Sequence, residues 1–132
     1  MKNAIIIHGK ANETKYFDLS LASPSNSGWL PWLQKQLLMN DVLAQTPEMP
    51  SAWKPEYDAW SKEFERYDIT TETLLIGHSC GAGFLVKWLS EHPNAQAKKL
   101  VLVAPWIDPD QSGNMGNFFE FDFDAGLSNR ID

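Results

Sequence analysis

Near the middle of this chain a serine stands between two glycines, in the run Gly77-His78-Ser79-Cys80-Gly81. A serine hydroxyl becomes a useful nucleophile when it is held clear of the backbone beside a base and beside donors for a developing oxyanion. The pattern G-x-S-x-G does the holding: a sharp strand-to-helix turn strains the serine backbone, and small neighbours are needed on both sides. Gly77 and Gly81 supply them, and Ser79 is the candidate catalytic residue. The backbone N–H of Cys80, at the start of the following helix, is the first candidate oxyanion donor, with the helix dipole behind it. A second candidate comes from far upstream. His8-Gly9-Lys10 ends an apolar run, where a loop can lend a further N–H, from Lys10 or Ala11. His8 and Gly9 are thereby candidates for the pocket wall, and Trp106, just past another apolar run, is a third.

The elements that must position these residues are legible as alternating patterns. Ala4–Ile7, Thr73–Ile76 and Leu100–Ala104 are short, continuous, largely β-branched or leucine-rich runs, the signature of strands buried on both faces. Val42–Thr46 is a weaker strand. Between them, Trp29–Met39 and Glu56–Tyr67 carry apolar residues at three- and four-residue steps, and Gly83–Ser90 continues the serine turn as a helix. Strands alternating with helices predict an α/β fold, a mostly parallel sheet with helices on both faces, over residues 1–132 as one domain. Five tryptophans (29, 32, 53, 60 and 88) read as core and helix-packing residues. Phe118–Asp124 alternates aromatic and acidic residues and reads as a strand, a flap over the active site or an aggregation-prone end; a segment packed near the pocket is favoured.

Composition narrows the function. The net charge is −6 with no basic cluster, which argues against nucleic acid as a partner. No apolar run approaches the roughly 20 residues of a membrane span, and the amino terminus lacks a signal-peptide pattern. With one cysteine, Cys80, no internal disulfide is possible, and a reducing cytoplasm is the expected location. No cofactor or metal is called for. A phosphate-binding reading of the glycine-rich turn fails because Gly77–Gly83 lacks the lysine and the following serine or threonine of a P-loop. A thiol role for Cys80 is weighed against a small side chain filling the turn, and the second is favoured.

The chain resembles the small α/β-hydrolases of the retinoblastoma-binding protein 9 and YdeN type. The matching features are Ile5-Ile6-Ile7-His8-Gly9, Trp29-Leu30-Pro31-Trp32-Leu33, Thr46-Pro47-Glu48-Met49-Pro50, the serine turn, and Leu100-Val101-Leu102-Val103-Ala104-Pro105. The resemblance implies a three-layer α/β-hydrolase sandwich and hydrolysis of a small ester or amide by Ser79. It also implies an acid and a histidine on loops after two further strands, in the order serine, acid, histidine. No histidine follows His92, and the expectation is a chain that lacks those C-terminal strands. His92 sits at the far end of the helix, His78 is expected to point into the sheet, and His8 lies on the wrong side for base duty. Asp108 reads as a solvated loop aspartate. The alternative function is a non-catalytic hydrolase-like scaffold for protein interaction. An unpaired edge at Leu100–Ala104 raises the further expectation of a homo-oligomer joined there.

Overall fold

In the computed structural model, which describes residues 2–132, four strands form one parallel sheet. They are β1 (Lys2–Ile7), β2 (Val42–Gln45), β3 (Leu74–His78) and β4 (Lys99–Val103), in the spatial order β2-β1-β3-β4. The helices are α1 (Glu13–Tyr16), α2 (Leu30–Met39), α3 (Tyr57–Phe64), α4 (Cys80–Glu91) and α5 (Leu127–Arg130), with a 3-10 turn at Pro24–Asn26.

Side chains alternate across a strand, and that alternation divides each apolar run between two layers. Ile5, Ile7 and Leu75 face a cluster holding Trp60 and Phe64 of α3 and Phe84, Leu85, Trp88 and Leu89 of α4. Ala4, Ile6 and Ile76 face the other way, into a smaller cluster with Leu30 of α2, Val42 and Ala44. Burial on both faces is why β1 reads as an uninterrupted Ala-Ile-Ile-Ile run. The register sets Ile7 beside Gly77, so β1 and β3 end together and their following loops meet at one edge of the sheet.

Three expectations need correction. Leu100–Ala104 was expected to be a buried strand, yet Val101 and Leu102 are 39% and 38% exposed. The reason is position: β4 is the outermost strand among the described residues, and its outer side receives the C-terminal Asp132 carbonyl on the Leu100 N–H at 2.7 Å. Phe118–Asp124 forms no strand. Phe118 instead inserts against Trp60, Tyr57 and Phe84 on the α3/α4 side, with its ring 5.2 Å from that of Trp60, while Phe123 is 64% exposed. Among the tryptophans, Trp60 and Trp88 are core residues, but Trp32 is 62% exposed.

Besides Phe118 and the short α5, polar contacts hold the stretch after β4. Lys87 of α4 is buried, with its Nζ 3.9 Å from the centre of the Tyr57 ring and donating to the Asn117 carbonyl at 2.9 Å. Burial pushes its pKa down. Arg130 donates to the carbonyls of Leu89 and Ala95 and pairs with Asp124, which ties the last helix to α4.

Phe118 therefore carries the attachment of this stretch, and Phe123 does not. Phe118→Ala is expected to cost about 3–5 kcal/mol in urea unfolding, whereas Phe123→Ala stays within about 0.5 kcal/mol. Equal effects at the two positions would contradict this packing.

Candidate active site

Ser79 is the residue between β3 and α4, and its backbone has φ 55° and ψ −117°, a region that L-residues rarely enter. Such a conformation costs on the order of 1–3 kcal/mol and persists only where neighbours over-determine it. Here its N–H donates to the Val103 carbonyl at 2.9 Å. Its own carbonyl accepts from Ala82, Gly83 and Trp106 at 3.1, 3.2 and 3.1 Å. The glycines leave room for this turn. A Cβ at Gly77 would stand 2.6–2.8 Å from the backbone of Ala82 and Gly81, and one at Gly81 would overlap the carbonyls of Ile7 and His8. Gly83, at the start of a helical pattern in the sequence, is equally confined, against the Trp106 carbonyl and the Phe119 ring.

The end of β1 closes on this turn from the other side. A Cβ at Gly9 would meet the Ser79 Cβ and the His78 carbonyl at 3.3 Å each and the Cys80 nitrogen at 3.8 Å. The Cys80 N–H opens α4 and has no carbonyl a turn earlier in that helix to bond. The Ala11 N–H is committed to the Ala52 carbonyl at 2.8 Å, whereas the Lys10 N–H is directed at the Cys80 sulfur, a weak acceptor, so of the two upstream candidates Lys10 is the less firmly held.

Ser79, His8, Gly9 and Lys10 line a pocket of about 530 Å³. The lining also takes Tyr16 of α1 and residues of the stretch Leu21–Leu30, whose part up to Gly28 has the composition of a polar loop. Its apolar members, Leu21, Ala22 and Pro24, are scattered among serines and asparagine, so no periodic signal marked them. Trp106 is not part of this lining: it packs against Phe119, ring centres 5.6 Å apart, with its ring over Gly113. The Phe118–Asp124 segment does not line it either.

None of the three imidazoles is hydrogen-bonded to Ser79 among the described residues. His8 is buried, and its Nε2 accepts the Met49 N–H at 2.8 Å, which leaves Nδ1 to donate to the Gly9 carbonyl at 2.8 Å. Glu48 Oε2 lies 3.2 Å from the same Nε2, but the shorter amide bond fixes that nitrogen as an acceptor. His78 does not point into the sheet. It lines the pocket and packs edge-on against Trp29, ring centres 5.4 Å apart. His92 caps the far end of α4, stacked on Trp88 at 3.9 Å with Nδ1 2.6 Å from the Trp88 carbonyl. Asp108 is buried where a solvated side chain was expected, because its carboxylate accepts the Gly113 N–H at 3.0 and 3.1 Å.

Cys80 is fully buried in the larger core cluster. Burial pushes its thiol up to about 12, against a smaller opposing pull from Lys10, whose charge and backbone N–H both approach the sulfur. The thiolate is the reactive form, so at pH 8 the folded chain is expected to alkylate with iodoacetamide on the order of a thousandfold more slowly than a free cysteine. The rate should climb as pH rises towards 12 and become ordinary in urea. Fast alkylation of the folded chain at pH 8 would contradict the burial.

Comparison with known proteins agrees with this geometry. Residues 21–123 match the family model described as Serine hydrolase. YdeN of Bacillus subtilis (strain 168) is 32% identical over 94 residues, which is 69% of this chain and 43% of YdeN. The crystal structure of the ydeN gene product from B. subtilis superposes with a TM-score of 0.75 at 25% identity, covering 98% of this chain and 66% of that one. The chain thus spans less than two thirds of the length of the relatives it matches. Motif, sheet topology and alignment converge: the chain belongs to the serine hydrolase family.

Proposed function

We propose that this chain carries the nucleophile and oxyanion-binding half of a hydrolase acting on small esters or amides. The observation that supports the reading most is the positive φ of Ser79 at a strand-to-helix turn, with the same residue lining a pocket of about 530 Å³. In the proposed reaction Ser79 Oγ attacks the substrate carbonyl carbon, and the carbonyl oxygen becomes an oxyanion facing the N–H groups of Cys80 and Lys10. The C–O or C–N bond then breaks, an alcohol or amine leaves, and water hydrolyses the acyl-serine to return the hydroxyl. His8 and Gly9 shape the wall beside it.

The attack requires a base for the serine proton. His8, His78 and His92 are each engaged with backbone or aromatic partners, and none is hydrogen-bonded to Ser79 among the described residues. That observation favours a second reading, a hydrolase-like scaffold without turnover. The two readings separate by chemical rescue.

A fluorophosphonate probe should label these 132 residues slowly, at Ser79, and imidazole added to the buffer should accelerate labelling in proportion to its concentration. Ser79→Ala should abolish it. Fast labelling without imidazole would mean that a described histidine acts as the base after all. No labelling of Ser79 even with imidazole would favour the scaffold.

A further inference from the structure

The pocket beside Ser79 has two chemically different walls. One runs along Leu21–Leu30 and presents Leu21, Ala22, Pro24, Trp29 and Leu30. The other continues from β1 into α1 and carries Lys10 and Lys15. Neither lysine forms an ion pair with the carboxylates of the described residues. No aspartate or glutamate lines the pocket, and Glu13, between the two lysines in sequence, is exposed and outside the lining. The remaining titratable groups in the wall are His8, Tyr16 and His78, none of them an anion at neutral pH. One carboxylate stands just behind the lining, Glu48, held by the Ser25 N–H and hydroxyl and 3.2 Å from His8 Nε2. In a chain whose acids outnumber its bases 17 to 11, two unpaired cations against that one engaged acid still make a local reversal of the molecule's charge.

From this we infer that the pocket selects a substrate with an apolar body and an anionic head. The apolar wall gains by removing hydrocarbon from water. The two lysines, exposed residues of a concave site, concentrate anions there and repel cationic ligands. The inference deepens the proposed hydrolase reading, because it names the substrate class for Ser79. The charge preference, however, is a property of the pocket and can be measured without turnover. Carboxylate and phosphate heads satisfy two lysines alike, so both enter the test.

The experiment is calorimetric binding to the Ser79→Ala chain of four related ligands. They are monomethyl adipate, its neutral dimethyl ester, the methyl ester of aminocaproic acid, and phosphorylated methyl hydroxycaproate. The anionic ligands are expected to bind about tenfold more tightly than the neutral diester, the size that two exposed charge pairs can supply. The cationic ester should bind weakest. The preference should shrink with added salt and vanish in a variant that also carries Lys10→Gln and Lys15→Gln. Whichever anionic ligand is tighter identifies the head. Equal binding of the neutral and anionic ligands, or tighter binding of the cationic one, would overturn the inference, as would a preference that survives both lysine substitutions. Acylation of unsubstituted Ser79 by an activated ester, read by mass, scores the hydrolase reading separately. A charge preference without acylation would remove that reading and leave this one standing.

Discussion

The carbonyl oxygens of Ile7 and His8 occupy the space where a side chain at Gly81 would stand, and much of the site geometry follows from that approach. With the first turn of α4 seated against the end of β1, the chain leaving β3 has one residue in which to reverse direction. That residue is Ser79, and its positive φ is the consequence. Gly77 relieves the crowding from the strand side, where a Cβ would collide with Ala82. The same approach brings Gly9 against the Ser79 Cβ, so the loop from β1 and the start of α4 share one wall. The strain is local, and its restraint is distributed: the Ser79 N–H donates to Val103 and the Ser79 carbonyl accepts from Ala82, Gly83 and Trp106, so four backbone hydrogen bonds fix the serine.

Those bonds are only as rigid as the layers that carry them. β1 and β3 are buried on both sides because alternate residues feed two separate clusters, and a one-residue slip would exchange the two sets. The larger cluster packs Trp60 edge-to-face on Phe84 and Phe118, and Phe64 edge-to-face on Phe84, with Phe84 and Phe118 tilted to each other, and it anchors α4 from behind. His8 joins the same packing, 5.6 Å from Trp60, while its ring nitrogens hold the Met49 amide and the Gly9 carbonyl. The histidine thus reads as a strut that shapes the end of β1 and the loop before Pro50.

Much of this was legible in the sequence where periodicity or a steric motif carried it. The Ile5-Ile6-Ile7 run announced a strand buried on both faces, and the strand–glycine–helix context of Ser79 announced the turn. What failed to show depended on partners distant in sequence. Leu100–Ala104 has the composition of a strand buried on both faces; its place at an edge was legible from the absent strands, but the exposure of Val101 and Leu102 that goes with that place was not. Asp108 and Lys87 look like surface charges until the Gly113 amide and the Asn117 carbonyl are seen beside them. Trp106 follows a strand end on the side of the sheet that bears Ser79, yet the glycine at position 113 offers its ring a closer seat. The apolar pocket wall of Leu21–Pro24 sits in a polar loop and has no period to betray it.

Ser79 is held at a strained φ of 55° by its surroundings. The direct measurement is the unfolding free energy of Ser79→Gly against Ser79→Ala. Both remove the hydroxyl, and only glycine escapes the penalty of φ 55°. That relief, about 1–3 kcal/mol, exceeds the extra backbone entropy of glycine, about 0.5–1 kcal/mol. Ser79→Gly should therefore be the more stable of the two, by about 1 kcal/mol. An alanine variant as stable as the glycine variant, or more so, would contradict the strained turn.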